Sequence, residues 1–239
     1  MEVSQEDRAT YALRAMDPAA VRERLARLSP WYATFFAKWL PAEKDSRILD
    51  LPCGAGNLLF ALKDMGFTNV RGVDVDPGQV EVAKEFGLPA EVGEVFAALA
   101  RESEGTVARI FAVDFLEHVS IEQALQFCTL ARRSLMPGGM LICRTPSADG
   151  PFGSHDRYND LTHRWAMTSS AACQLFCLAG FSPAQLTVLG EAPVPYKLVN
   201  RLRLWLYRLT TAVLGAYLEL CGIGAPSIWT RSMWIIAVR

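Results

Sequence analysis

The stretch Asp50-Leu51-Pro52-Cys53-Gly54-Ala55-Gly56 decides the fold, because an apolar run ends there in a glycine turn that opens onto a helical pattern. Residues 47–51 predict a short buried strand, and Leu58, Leu59 and Leu62 recur at the spacing of a helix. Glycines let a ligand approach the backbone because they carry no Cβ, and a helix N-terminus offers unpaired N–H groups. The turn therefore predicts a site for a polar or anionic ligand group, with an ordinary tight turn as the alternative.

Two familiar nucleotide motifs fail at this turn. A dinucleotide-binding fingerprint needs a third glycine, but counting from Gly54 that position holds Leu59. A phosphate-binding loop needs a Gly-Lys-Ser/Thr ending, and none follows here. A nicotinamide-dependent dehydrogenase is therefore a weaker hypothesis than a protein that binds another nucleoside.

Strands and helices alternate on either side of the turn. Up to residue 145, apolar patterns predict strands at 47–51, 70–73, 90–92, 107–113 and 140–143, helices at 58–65, 76–86, 94–100 and 121–135, and a turn at 136–139. After a long polar loop at 146–167, they predict helices at 168–179 and 196–220 and strands at 184–189 and 232–238. This order predicts an α/β fold with a doubly wound, seven-stranded, mostly parallel sheet of the Rossmann-like type, whose last two strands pair antiparallel.

The domain organisation follows from the same pattern. We expect an N-terminal helical segment at 1–45, then one domain at 46–239 that carries a helical insert at about 193–226. The N-terminal segment ends in a dense aromatic patch, which predicts either a helix packed on the sheet or a lid over a ligand cleft. The patch consists of Trp31, Tyr32, Phe35, Phe36, Trp39 and Leu40.

Composition excludes several classes of protein. The chain has 239 residues, of which 51% are hydrophobic and 21% charged, so it is not a disordered chain. A formal net charge of −1 argues against a nucleic-acid partner. No C-x-x-C pair occurs among the cysteines, which favours reduced thiols and a cytoplasmic location. Residues 1–27 lack an export signal, and the longest apolar approach to a membrane span, 209–218, is too short.

Asp74 strengthens the prediction of a nucleoside site. It ends the second predicted strand, 24 residues after Asp50. The carboxyl ends of adjacent parallel strands meet at the edge of the sheet where such folds bind ligands. A carboxylate there can accept hydrogen bonds from both hydroxyls of a ribose, so we expect Asp74 to bind the sugar of a nucleoside.

With these residues in place, the sequence resembles the class I S-adenosylmethionine-dependent methyltransferases over residues 46–145. Their Asp-x-Gly-x-Gly-x-Gly motif matches residues 50–56, except that Pro52 takes the first glycine position and removes an N–H group. Gly93-Glu94-Val95 matches the segment that faces adenine, and Asp114-Phe115-Leu116-Glu117-His118-Val119 matches the segment at the methionine end. The turn at 135–139 also matches. The resemblance implies S-adenosylmethionine as cofactor, bound by Asp50, Cys53, Gly54, Gly56, Asp74, Val75, Glu94, Val95, Asp114 and Phe115.

Histidines supply the candidate bases for methyl transfer, because a hydroxyl or ammonium acceptor must lose a proton. We predict His118 and His155 as catalytic residues, with Arg157, Tyr158, Asp160 and His163 binding the substrate. All three histidines of the chain are expected to converge, since the ends of the fourth and fifth strands flank the substrate. A divalent metal held by His155, Asp156, Asp160 and His163 is an alternative, but hydrogen bonding explains such a loop as well, and we predict no metal.

The acceptor is suggested only by the polar loop. Its Arg-Tyr-x-Asp-x-Thr-His string resembles one in bacterial methyltransferases of polysaccharide and lipopolysaccharide biosynthesis, which implies O-methylation of a sugar hydroxyl in a glycan or glycolipid. The alternatives are a quinone, a lipid or an amino-sugar nitrogen as acceptor, or a non-catalytic nucleoside-binding module.

The predicted helix at 196–220 has an amphipathic pattern that suggests a further role. It combines a narrow basic face with a wide apolar and aromatic face, which is typical of a helix lying in a membrane interface. A homodimer interface or a lid fits the pattern equally well. We therefore expect a small-molecule or glycan substrate, no nucleic acid, and either peripheral contact with the inner face of the membrane or a second copy of the chain.

Overall fold

Strands and helices alternate along the computed structural model, which describes residues 18–151, 153–191 and 198–239. The part of the predicted N-terminal segment before residue 18 and the start of the predicted insert, 193–197, lie outside the described residues. The strands are β1 (Ile48–Asp50), β2 (Val70–Asp74), β3 (Ala90–Val92), β4 (Val107–Val113), β5 (Leu135–Pro146), β6 (Leu186–Gly190) and β7 (Ser232–Val238). The helices are α1 (Pro18–Phe36), α2 (Asn57–Asp64), α3 (Pro77–Glu85), α4 (Val95–Arg101), α5 (Ile121–Ser134), α6 (Gly153–Tyr158), α7 (Ser169–Leu178) and α8 (Leu198–Leu220).

The predicted sheet topology is confirmed. The strand order is β3-β2-β1-β4-β5-β7-β6, and the pairs among β1 to β5 are all parallel. β7 lies between β5 and β6 and pairs antiparallel with both. The chain runs outward through β2 and β3 on one side of β1 and through β4 and β5 on the other. This reversal places the crevice for a ligand at the carboxyl ends of β1 and β4.

Two apolar layers cover the sheet because side chains alternate along each strand. Leu49, Ile110, Leu141 and Ile235 face the layer packed by α4, α5 and α7. Their chain neighbours Ile48, Phe111, Ile142 and Trp234 face the opposite layer, which α1 and α2 cover. This two-sided burial explains why the strands are continuous apolar runs in the sequence.

Three predicted boundaries are wrong. The turn predicted at 136–139 is part of β5, which runs from Leu135 to Pro146 rather than over 140–143. The loop predicted at 146–167 contains the short helix α6, and Ser147 bridges to Met167. The strand predicted at 184–189 begins at Leu186, because Pro183–Gln185 form a 3-10 turn.

The aromatic patch packs on the sheet at one end and borders a cavity at the other, and its predicted role as a lid stays a prediction. Phe36 is fully buried, and its ring centroid lies 5.0 Å from that of Phe111 and 5.1 Å from that of Trp234. The helix therefore packs on the sheet. Trp31 and Tyr32, one turn earlier, instead line a cavity at the edge of the sheet.

Helix α8 leaves one broad apolar face uncovered in the described structure. Gly215 is buried against Ala225 and Trp229, so one side of the helix is packed. The exposed side carries Leu202, Trp205, Leu206, Leu209, Val213, Leu214 and Tyr217. Within the described residues, no helix is both long and apolar enough to cross a membrane.

Candidate functional site

A cavity of about 540 Å³ lies at the carboxyl ends of β1, β2 and β4, at the point where the strand order reverses. It is large enough for a nucleoside-sized ligand. Helices α1 and α2 and the segments around the ends of β5, β6 and β7 contribute the remaining walls. The lining residues are Trp31, Tyr32, Asp50, Pro52, Cys53, Gly54, Asn57, Leu58, Asp74, Val113, Asp114, Arg144, Glu191 and Trp234.

The glycine turn brings backbone to the cavity wall. Gly54 and Gly56 have φ of 51° and 82°, in the left-handed region that glycine adopts without strain. A Cβ on Gly56 would lie 2.5 Å from Leu88 Cδ1, so the turn also depends on close packing against the α3–β3 connection. A Cβ on Gly54 would meet only Gln79 Oε1, at 3.9 Å. The backbone at Gly54 is therefore open to a ligand.

Asp74 ties the turn to the end of β2. Its Oδ2 accepts a hydrogen bond from the Gly54 N–H at 2.8 Å, and its Oδ1 accepts one from the Asp76 N–H at 2.9 Å. Burial raises the pKa of this carboxyl, although the two N–H groups oppose the shift. Each oxygen keeps a second lone pair, so Asp74 can shape the turn and still accept hydrogen bonds from a ligand.

Asp50 is buried beside it, with only 2% of its surface exposed. Burial, and then the charge of Asp74, raises the pKa of Asp50 well above its ordinary value. The pKa of this acid is higher in the folded state than in the unfolded state, where it is near 4. The free energy of unfolding therefore decreases as the pH rises from the unfolded pKa toward the folded pKa. Asp50 is therefore a destabilising acid in the wall of the cavity at neutral pH.

Asp50→Asn is accordingly expected to stabilise the protein without ligand at pH 7, by about 1–2 kcal/mol. The gain should be much smaller at pH 4, where the wild-type carboxyl is protonated in the folded state and about half protonated in the unfolded state. Urea unfolding of both proteins at pH 4 and pH 7 measures this difference. An equal effect at the two pH values would contradict the assigned cause.

Arg144 and Glu191 belong to the cavity but were missed by the sequence reasoning. Arg144, on β5, forms ion pairs with Asp114 at 2.5 Å and with Glu191 at 2.8 Å. Asp114 has φ of 52°, an uncommon conformation for a residue other than glycine. Since Asp114, Arg144 and Glu191 come from distant parts of the chain, no local motif could have grouped them.

Tyr32 also lines the cavity. Burial, and then the charge of Asp50, raises the pKa of Tyr32 to about 12.

Two of the three histidines come together, beyond the end of β4. The rings of His118 and His163 have centroids 4.8 Å apart, and Glu117 lies beside them. Burial, and then the charge of Asp114, raises the pKa of Glu117 to about 8. Glu117 stands within the motif at 114–119 but is not among the predicted site residues. Of the residues described by the structure, no histidine lines the cavity itself.

The remaining loop residues make local contacts. His155, on α6, faces the carboxylate of Asp156, whose other partner is Arg231. Arg157 donates to the Arg164 carbonyl, and Asp160 accepts from Thr162. Tyr158 is 74% exposed. The predicted convergence of all three histidines is thus shown only for His118 and His163.

Four of the predicted cofactor-binding residues lie outside the cavity lining. Glu94 is exposed at the N-terminus of α4, directly after β3, and Val95 is buried behind it. Val75 is 39% exposed after β2. Phe115 packs against Phe127, with ring centroids 5.0 Å apart. All four follow the carboxyl ends of strands, on the side of the sheet edge that holds the cavity.

The sequence of this chain is similar to those of known methyltransferases. The sequence model of a family described as "Methyltransferase domain" matches residues 18–191. The chain is 29% identical over 150 residues to the ubiquinone biosynthesis O-methyltransferase of Alkalilimnicola ehrlichii, covering 60% of this chain and 58% of that protein. It is 30% identical over 103 residues to the protein of the same name from Cereibacter sphaeroides, covering 41% and 40%. The chain therefore spans between two fifths and three fifths of the length of these relatives.

A solved structure confirms the fold class. The chain superposes on a SAM-dependent methyltransferase from Archaeoglobus fulgidus with a TM-score of 0.63 at 16% identity, covering 93% of this chain and 95% of that one. At this identity the likeness shows the fold alone.

Proposed function

Since this chain belongs to the methyltransferase domain family, we propose that it transfers a methyl group from S-adenosylmethionine to a hydroxyl oxygen of an acceptor. The observation that carries the proposal is the cavity at the switch point of the sheet, with an open glycine backbone and a strand-end carboxylate in its wall. Bound S-adenosylmethionine supplies a methyl group that its sulfonium makes electrophilic. The chain's part is then to hold the donor, align the acceptor and remove a proton.

The charges around the cavity fit this donor. Its lining contains four carboxyl groups, those of Asp50, Asp74, Asp114 and Glu191, against the single guanidinium of Arg144. A ligand with a sulfonium and an ammonium group complements such a surface. We assign the ribose hydroxyls to Asp74, backbone contact to Gly54, and the adenine edge to Glu94 beside Val95. Val75 is assigned to the cofactor as well, and Asp114 and Phe115 to its methionine end.

For the binding and deprotonation of the acceptor, we propose the same residues that were predicted from the sequence. We propose His118 as the base, with His155 as the second candidate. Arg157, Tyr158, Asp160 and His163 are proposed to bind the acceptor. These residues belong to the segments that follow β4 and β5, and those strands border the cavity through Val113, Asp114 and Arg144.

We propose the aromatic hydroxyl of a quinone precursor as the acceptor. Two relatives act, by name, as O-methyltransferases in ubiquinone biosynthesis. The sugar hydroxyl predicted from the polar loop finds no support among the relatives, and it stands as the second candidate. Both acceptors can be bound to a lipid, which connects them to the exposed face of α8.

Labelled S-adenosylmethionine tests the acceptor directly. The protein is incubated with a quinol precursor in lipid vesicles, with a lipid-linked glycan, and with an amino sugar. We expect labelled methyl groups in the quinol. Label in the glycan instead would overturn the quinone assignment in favour of the sugar. Binding of S-adenosylhomocysteine without label in any acceptor would indicate a non-catalytic nucleoside-binding module.

The exposed face of α8 is proposed to lie on the membrane surface, at its inner face. Arg201, Arg203 and Arg208 are exposed on the same helix as the apolar side chains, which suits anionic lipids. A homodimer through this face is the alternative.

The variant Leu209→Glu/Val213→Glu should reduce sedimentation with anionic vesicles by at least about tenfold, because each buried apolar side chain contributes about 1.5–3 kcal/mol. Leu178→Glu, which changes an exposed leucine on α7, is the matched control and should sediment like the wild type. Unchanged sedimentation of the double variant would contradict membrane contact. A dimer seen by light scattering, and lost in the double variant, would favour the alternative.

A further inference from the structure

A group of potential metal ligands lies at the end of β4, beside the proposed active site. Glu117, His118 and His163 each offer one ligand atom, and these atoms all lie within 4.8 Å of one another. Glu117 and His118 close the 3-10 turn that follows β4, whereas His163 comes from the loop before α7. Across the described ranges of the chain, no second group of this kind occurs.

The carboxylate of Glu117 is left incomplete by the protein. The side chain is only 2% exposed. Its Oε2 accepts a hydrogen bond from Thr145 Oγ1 at 3.1 Å. Its Oε1 is buried and has no hydrogen-bond partner among the described residues. A buried oxygen without a partner destabilises the folded protein, and a bound cation would offset that cost.

Hydrogen bonds prepare both imidazoles to act as ligands. His163 Nδ1 lies 2.8 Å from the Asp156 carbonyl, which can only accept, so Nδ1 carries the proton. The Thr162 hydroxyl donates to Asp160 Oδ1 at 2.6 Å and therefore accepts from His118 Nδ1 at 2.9 Å. In both rings the metal-binding lone pair is then on Nε2. Carbonyl and carboxylate partners of this kind orient histidines that bind metals.

We propose that Glu117, His118 and His163 bind a divalent transition-metal ion. Two imidazoles and one carboxylate favour ions such as Mn²⁺, Fe²⁺, Co²⁺ or Zn²⁺ over Mg²⁺ and Ca²⁺, which prefer oxygen ligands. This set differs from the loop residues considered from sequence, since Asp156 and Asp160 support the ligands rather than join them.

Such a site has a use in methyl transfer to oxygen. Three protein ligands leave coordination positions for a hydroxyl, and a bound cation lowers the pKa of an oxygen acid that it holds. With the ion bound, the imidazoles of His118 and His163 would be ligands, so the proton of the acceptor hydroxyl would pass to His155, the second candidate base, or to water. This role rests on the proposed function, whereas metal binding itself does not.

Titration of the untagged protein with Co²⁺ tests the site without donor or acceptor. We expect one Co²⁺ per chain, seen by visible absorption and by calorimetry. His118→Ala and His163→Ala should each weaken binding by at least about 100-fold. Thr162→Val removes only the hydroxyl that orients His118 and should weaken binding by about 10-fold, as for other outer-shell partners.

His155→Gln is the matched control, because it removes a nearby imidazole that is not in the group, and it should bind Co²⁺ like the wild type. Circular dichroism checks that each variant is folded. No binding by the wild type, or equal binding by wild type and both alanine variants, would overturn the proposal. Stoichiometric Co²⁺ without methyl transfer to any acceptor would refute the proposed function and leave the metal site standing.

Discussion

Asp74→Ala is expected to weaken binding of S-adenosylhomocysteine by about 100-fold or more. The variant loses the carboxylate proposed to accept both ribose hydroxyls, and each hydrogen bond to a charged group contributes about 1.5–3 kcal/mol. It also releases the N–H of Gly54, which Asp74 holds at 2.8 Å, so the cavity wall itself loosens. Calorimetry with S-adenosylhomocysteine measures the loss.

Asp76→Asn provides the control for this experiment. Asp76 is two residues away and caps α3 by accepting from the Gly78 and Gln79 N–H groups, a role that asparagine fills as well. It does not line the cavity. We expect its affinity to equal that of the wild type. If Asp74→Ala bound as tightly as Asp76→Asn, the nucleoside would not occupy this crevice.

Gly72→Ala should produce the largest loss of stability, about 3 kcal/mol. Gly72 lies in the middle of β2, paired between Asp50 and Ala90. A Cβ there would lie 2.5 Å from Leu59 Cδ1 and 2.7 Å from the Cβ of Cys53, both of which are packed in the core. Overpacking of this kind forces side chains and backbone to shift.

Gly93→Ala is the matched control, because the same methyl group would meet only Val73 Cγ1, at 3.3 Å. Urea unfolding should show a midpoint close to that of the wild type for Gly93→Ala and a much lower one for Gly72→Ala. Equal midpoints for the two variants would show that the glycine turn tolerates displacement from β2. S-adenosylhomocysteine binding by Gly72→Ala should also fall, since Cys53 belongs to the cavity wall.

The parallel half of the sheet was predictable because β1 and β4 are buried apolar runs and because strand and helix patterns alternate along this part of the chain. β3, β4 and β7 match their predicted bounds, and the resemblance to methyltransferases located the glycine turn. β5 was predicted too short because Gly138 and Gly139 are typical of a turn. They are accommodated in the strand because the sheet is irregular there, with a register shift between Val107 and Arg109.

The site was predictable only where it follows a motif. Asp50, Gly54 and Asp74 are grouped by the strand order, which the sequence pattern predicts. Arg144, Glu191 and Trp234 are grouped by tertiary packing alone, and their local sequence contains no sign of it, whereas Trp31 belongs to the aromatic patch for which a lid was one predicted role. The pairing of His118 with His163 falls between these cases, since the topology predicted proximity but not the loop path that excludes His155.

The two tryptophans in the cavity wall provide an intrinsic fluorescence signal for ligand binding. The indoles of Trp31 and Trp234 lie 6.3 Å apart between centroids, and both border the space in which adenosine is expected. An arriving purine would alter the polarity around these chromophores and stack against or shield them. Their fluorescence should therefore report occupancy of the crevice without any label, and replacing either indole with phenylalanine would identify which of the two emits the signal.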